Sequence, residues 1–298
     1  MKRNAWLPYL LLTLTVLFWS GNFVLGRGIR ELIPPISLNF WRWVGALGIL
    51  LPFSCRTVWR QRALLRTHWK LLALLALPAI TIFNTFIYTA LQTATAINTV
   101  LVNAMIPVFI SVISWVIFRE RLTLRQAVGV LISLAGLIFI VTRGNYTALK
   151  MVRLSSGDLW TLGASLSWAI YSVLLRKRPA GMDPIVFLTL IIVFGLLYAL
   201  PFYGWEVWQK GGFELSATSL AAMGYVALFP SVLSYIFWNS SVSKVGANRA
   251  GIFIHLMPVF SVVLAILFLG ERPYMFHFVG ITLIFIGITL TTVRRIVK

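Results

Sequence analysis

Polar and aromatic residues recur at helical spacing inside long apolar stretches of this chain. Thr15, Trp19 and Asn22 stand at i, i+4 and i+7, and Asn84, Tyr88 and Gln92 follow at four-residue steps, as do Thr99, Asn103 and Pro107. Farther on come Thr161, Ser165, Trp168 and Ser172 with Tyr171 beside them, then Ser231, Tyr235 and Asn239 flanked by Trp238, then Gly251, His255 and Pro258. Residues so spaced share one helix face. In a bilayer such a face turns toward the bundle interior or a wet cavity. Two chemistries follow. Amide and hydroxyl groups can bond between helices as packing glue, the reading preferred for an isolated Ser or Thr. Alternatively, they converge with the rings to hold a small molecule. The candidate substrate-binding set is Trp19, Asn22, Asn84, Tyr88, Asn103, Trp168, Tyr171, Tyr235, Trp238, Asn239 and His255.

Charged groups are scarce in these stretches. Arg42 is the one permanent charge, and a central Arg costs about 2.5–3.5 kcal/mol on insertion scales. It therefore needs a partner or a route to water. Snorkelling to the nearby surface or pairing with Glu31 is preferred over substrate contact, which leaves Arg42 a candidate charge partner. His255 is the only neutral-pH titratable group deep in the apolar segments, and an inert hydrogen-bonded role is preferred over proton carriage. Pro107 and Pro258 each remove a helical bond, which predicts kinks there. Glu120-Arg121 and Glu271-Arg272 fall at tight turns, where the carboxylate can meet free N–H groups at the next helix start and pair with Arg. All seven acidic residues fall in loops or at segment ends, so no buried carboxylate is expected and His255 alone could exchange a proton. Phosphate loops, His-Glu-x-x-His pairs and Gly-x-Ser-x-Gly elbows do not occur, and His68, His255 and His277 are far apart in sequence. The single Cys55 rules out an intramolecular disulfide and a two-cysteine metal site. No catalytic residue, metal or cofactor is expected, and the chain does not read as an enzyme.

The elements that must position these residues are membrane helices. The chain has 298 residues, 59% hydrophobic and 11% charged, where a soluble domain is about a quarter charged. Ten segments are long, apolar and nearly uncharged: Trp6–Gly26, Ser37–Ser54, Leu71–Leu91, Ile97–Phe118, Gln126–Thr142, Leu159–Leu175, Pro184–Tyr203, Leu220–Val242, Ala250–Leu269 and Tyr274–Val293. Ten spans of roughly 20 residues leave no space for a soluble catalytic domain. Trp6, Trp41, Trp43, Trp59, Trp69, Trp205 and Trp208 lie near segment ends and read as interfacial belt residues. The first segment is too long for a signal h-region and reads as an uncleaved span. A formal charge of +19 would suggest nucleic acid in a soluble protein. Here the basic residues sit in short loops and set orientation instead. With the N-terminus cytoplasmic, inside segments hold 18 of the 26 Lys and Arg residues and outside segments hold 7. Both termini are thus expected in the cytoplasm, with the bilayer and a small molecule as partners and no nucleic acid. A monomer or weak homodimer is expected.

The halves repeat. A shift of 151 positions aligns Asn98–Val141 with Arg249–Thr292 and matches Pro107-Val-Phe with Pro258-Val-Phe, Glu120-Arg121 with Glu271-Arg272, Gly129 with Gly280 and Gly136 with Gly287. In the first spans, Trp19 and Arg27 correspond to Trp168 and Arg176. The division is 1–146 and 147–298 within a single membrane domain. Five spans per unit is an odd number, so the second unit enters the membrane upside down, an arrangement typical of transporters with a central site between the halves.

These blocks, with Trp19-Ser-Gly-Asn-Phe and the Arg42 that follows Pro34-Pro35, resemble the ten-helix EamA-type carriers of the drug/metabolite transporter superfamily. The resemblance covers nearly the whole chain. It implies an all-α integral membrane protein of ten transmembrane helices in two inverted five-helix repeats, placed in an inner or plasma membrane. It also implies a secondary transporter, an exporter or facilitator of a small metabolite such as an amino acid, working by alternating access. A multidrug exporter is the alternative within transport, although no span carries the carboxylate that role usually needs. A lipid flippase or membrane enzyme is the alternative from another class.

Overall fold

The computed structural model describes residues 6–94, 96–120, 122–142, 144–145, 155–260, 263–264 and 274–292. Arg121, Glu271 and Arg272 lie outside the described residues, so only Glu120 of the two Glu-Arg turns can be placed. The fold is all-helical, and ten spans follow in the expected order. Among the described residues six of them are long and apolar enough to cross a membrane: Leu7–Gly28, Pro35–Arg60, Arg62–Thr93, Pro184–Lys210, Ala217–Val245 and Met275–Thr292, which are spans one, two, three, seven, eight and ten. Span four is broken into Ala96–Asn103 and Ile106–Phe118, span five is Leu124–Val141 and span six is Ser156–Leu174. Span nine opens with the short helix Ala247–Gly251 and tightens into a 3₁₀ turn over Ile252–Leu256.

Local sequence explains the helix starts. Pro8, Pro35 and Pro184 occupy first turns, where a missing N–H leaves no bond unmade. Thr123 with Gln126, Ser155 with Asp158 and Ser216 with Ser219 form reciprocal caps at the starts of spans five, six and eight. Thr123, rather than Glu120, therefore satisfies the amides opening span five, which corrects one expectation for that turn. Glu120 instead forms an ion pair with Arg176 at the end of span six. Pro107 likewise departs from a mid-helix kink. It sits in the first turn of the second piece of span four, after a break at Ala104 and Met105. Pro258 follows the 3₁₀ turn of span nine.

Two wide turns were not expected. Span three passes through a π segment over Leu77–Ile82 and span eight through another over Ala227–Leu233, each containing a proline, Pro78 or Pro230. A helical proline removes a ladder bond, and a widened turn accommodates the displaced carbonyl. The two segments end 151 positions apart, so the repeat extends into a part of the chain where sequence identity does not reveal it.

The halves pack about a pseudo-two-fold axis. Span one lies on span eight and span three on span six, which are equivalent contacts, while two with seven and five with ten are self-equivalent. In a two-fold arrangement, residue i meets j′ while j meets i′. Gly129 meets Gly287 and Gly136 meets Gly280, so spans five and ten run antiparallel and the second repeat is inverted. A Cβ built on Gly136 would lie 2.7 Å from the Gly280 carbonyl oxygen, so no side chain fits the crossing without separating the helices.

Candidate transport site

Residues that are repeat equivalents and also touch each other mark the axis itself. Trp19 and Trp168 meet edge to face at 4.9 Å between ring centroids. Asn84 donates from Nδ2 to the Tyr235 hydroxyl at 3.2 Å. His255 Nε2 lies 3.0 Å from the carbonyl oxygen of Ala104. The last two pairs are each 151 positions apart.

An aromatic cluster grows from this line. Trp168 is surrounded by Trp19, Phe83, Tyr171, Tyr235 and Trp238, with ring centroids between 4.8 and 5.5 Å away. Each contact in that range is a favourable offset or edge geometry. The π segments supply acceptors to the same region. Trp19 Nε1 donates to the Pro230 carbonyl at 3.2 Å, and the Tyr235 hydroxyl donates to the Ala79 carbonyl at 2.6 Å. Those two carbonyls are repeat equivalents, so each half offers one to a ring of the other.

Two tyrosine–amide pairs flank the cluster. The Tyr88 hydroxyl donates to Asn22 Oδ1 at 2.8 Å, and the Tyr171 hydroxyl donates to Asn239 Oδ1 at 2.7 Å. Tyr88 corresponds to Asn239 and Asn22 to Tyr171, so the repeat conserves the pair while exchanging which span carries the ring. Beside Asn239 of the second pair opens a cleft of about 340 Å³, whose lining also includes Glu120, Ser172, Arg176 and Arg178. Trp168 Nε1, Trp43 Nε1, Asn103 Nδ2 and Asn239 Nδ2 are buried without a hydrogen-bond partner among the described residues. An unmade bond of this kind costs about 1–3 kcal/mol, which leaves the region with unused donor capacity.

The structure thus joins nine of the eleven candidates in one connected group: Trp19, Asn22, Asn84, Tyr88, Trp168, Tyr171, Tyr235, Trp238 and Asn239. Asn103 and His255 stand outside it. Asn103 accepts from Ser165 at 2.8 Å, one turn before Trp168. His255 bonds to Ser133 of span five through Nδ1 as well as to Ala104. The carbonyl only accepts, so Nε2 carries a proton, and Ser133 can donate to Nδ1. Both ring nitrogens are thus engaged in hydrogen bonds.

Three expectations need correction. Arg42 neither snorkels nor pairs with Glu31. It is 1% exposed, and Glu31 pairs with Arg30 instead. Arg42 donates from Nε to Ser231 Oγ at 2.8 Å and from Nη1 to Asn84 Oδ1 at 2.9 Å and the Tyr88 hydroxyl at 2.7 Å. The physical reason is helix phase: Leu38, Asn39, Arg42, Ala46 and Leu50 share the buried face of span two, so Arg42 points inward. Trp43 is not a belt residue but fully buried, under the Arg42 guanidinium at 5.1 Å and edge-on to Tyr235. Its four-residue step from Asn39 was the available signal. Finally, among the described residues two carboxylates are buried. Glu206 accepts from the Ser37 amide at 2.6 Å and hydroxyl at 2.8 Å, capping span two from span seven. Asp158 is buried in its own capping box. Both lie at span ends, as expected, but their acceptor role at helix starts draws them out of water.

A duplicated helical bundle with a central ring-and-amide cluster and a cleft leading to it defines a membrane transporter rather than an enzyme. The EamA-like transporter family matches the chain twice, over residues 6–142 and 155–293, and the chain belongs to that family within the drug/metabolite transporter superfamily. An uncharacterized transporter of Archaeoglobus fulgidus is 28% identical over 296 residues, covering 96% of this chain and 98% of the relative. The uncharacterized transporter YyaM of Bacillus subtilis is 24% identical over 294 residues, covering 97% and 95%. A protein of known crystal structure shares the fold at a TM-score of 0.76 and 18% identity, over 96% of both chains.

Proposed function

We propose that the chain is a secondary carrier moving a small metabolite, with amino acids the class suggested by the family resemblance, by alternating access around the Trp19–Trp168 cluster. The observation that carries this reading is the pair of exchanged tyrosine–amide contacts. One is bonded to the Arg42 guanidinium, whereas Asn239 of the other lines the cleft. Equivalent pairs in unlike surroundings are what an inverted repeat gives when its two halves differ in conformation. On this reading the repeats divide at 1–146 and 147–298. Both termini lie in the cytoplasm, the membrane is the inner or plasma membrane, and the chain works as a monomer or weak homodimer. The mouth carrying Arg176 and Arg178 then faces the cytoplasm.

The test is a counterflow screen in reconstituted vesicles. Vesicles preloaded with one unlabelled metabolite from a panel of amino acids and organic acids should take up its labelled form transiently against the gradient. Trp19→Ala and Trp168→Ala should slow that uptake while the protein remains folded. A lipid-scrambling signal with no metabolite counterflow would instead support the flippase alternative.

A further inference from the structure

Arg42 breaks the symmetry of the bundle. Spans two and seven begin at Pro35 and Pro184, so the equivalent of Arg42 is Ile191, which is fully buried. The first half therefore places a permanent cation beside the axis where the second places a hydrocarbon. Among the described residues that cation has no carboxylate within ion-pair distance, and its bonds go to Ser231, Asn84 and Tyr88, all neutral. Nη2 finds no acceptor among the described residues. Glu206 is committed to the start of span two at Ser37, about 7.5 Å of helical rise away. The charged neighbour of Glu206 is Lys210, at 4.0 Å.

A buried guanidinium without a counter-ion is costly to hold in a low-dielectric interior, whereas an anion that reaches it relieves the cost. The route from the cleft shows the same sign preference. At the mouth, Arg178 and the Arg176–Glu120 ion pair leave one net positive charge. Between the cleft and Arg42 the connected groups are neutral: Asn239, Tyr171, Tyr235 and Asn84. A cationic mouth raises the local concentration of anions. We propose that Arg42 is the anion-binding residue of the transport site and that the cargo is a singly charged organic carboxylate.

The fork of the guanidinium suits a planar carboxylate, with Nη2 and its neighbouring nitrogen offering parallel donors once Asn84 or Tyr88 yields. The Trp19, Trp168 and Trp238 rings would then take the apolar remainder. Net charge distinguishes cargo types. A monoanion leaves the closed site neutral, a zwitterion leaves it with one positive charge, and a cation leaves it with two.

This inference rests on the carrier reading and sets an organic monoanion in place of the zwitterionic amino acids suggested there. It is tested with matched probes: benzoate against benzamide, phenylacetate against phenylacetamide, and phenylalanine as the zwitterion. Binding is followed by equilibrium dialysis of the purified protein, and transport by counterflow in vesicles. At least one carboxylate should bind ten times more tightly than its amide. Arg42→Gln should abolish that preference, and Arg42→Lys should keep part of it. In wild-type vesicles an inside-positive potential of about 60 mV should raise final accumulation of the anion about tenfold. This measurement decides the charge of the cargo even if the Arg42 variants fail to fold. Saturable counterflow of an amide or of phenylalanine, with the carboxylates excluded or insensitive to potential, overturns the anion site and leaves the carrier intact. Absence of saturable counterflow for every probe overturns both.

Discussion

Replacing Gly136 by Ala should loosen the crossing of spans five and ten, and the size of the effect can be worked from the contact. A Cβ at that position lies 2.7 Å from the Gly280 carbonyl oxygen, 2.7 Å from Leu283 Cβ and 3.0 Å from the Ile284 amide nitrogen. Carbon atoms rest at about 3.5–4.0 Å, so the helices must part by roughly 1 Å. Two of the three neighbours are backbone atoms, which cannot rotate aside. Overpacking of this kind costs about 1–3 kcal/mol, and the upper end applies here. Alanine returns up to about 1 kcal/mol of helix propensity, leaving a net loss of about 2 kcal/mol. Gly204 provides the internal control. It lies mid-helix in span seven with nothing within 4 Å of its built Cβ, so Gly204→Ala should stabilise by about 0.5–1 kcal/mol. Thermal unfolding in detergent, followed by far-ultraviolet circular dichroism, should move in opposite directions for the two variants. The double variant Gly129→Ala with Gly136→Ala should cost less than the sum of its parts, because one separation relieves both clashes. If Gly136→Ala melts as high as Gly204→Ala, the close antiparallel crossing is wrong, and with it the geometric argument for inversion.

Other predictions follow from single contacts. Trp19→Phe keeps a ring but strands the Pro230 carbonyl, so it should destabilise by about 1–3 kcal/mol; Trp168→Phe removes an N–H that has no partner and should cost less. Comparing their melting temperatures checks the assignment, and a reversed order counts against it. Glu206→Ala removes the acceptor for the Ser37 amide and hydroxyl and should cost about 1–2 kcal/mol, with Glu206→Gln retaining part of the cap. Equal stability of both variants to wild type would show that the cap is dispensable. His255→Gln should leave the pH profile of transport unchanged, since both ring nitrogens are engaged in structural bonds. A profile that flattens in this variant would make His255 a proton carrier.

The sequence by itself determined the solvent of this protein, its ten spans and its duplication. Those features depend on composition, on segment length and on a fixed 151-position shift, all of which are linear properties of the chain. It also pointed to the stripe residues, because helical spacing places Trp19 with Asn22, and Tyr235 with Asn239, on one face of a helix. Which stripes meet was a different matter. Nine candidates converge, yet Asn103 and His255 face other partners, because convergence depends on how spans rotate against one another. The π segments at Pro78 and Pro230 were not legible either: a proline announces a lost bond, but the widened turn arises from packing around it. Arg42 and Trp43 show the limit most clearly. A short distance from a span end allowed both to reach the surface, and local sequence favoured that route. Only the packed bundle, with Asn84, Tyr88 and Ser231 drawn from spans three and eight, supplied the neutral acceptors that hold a guanidinium inside. Tertiary structure decided its place because the solvation of a buried charge comes from residues far away in sequence.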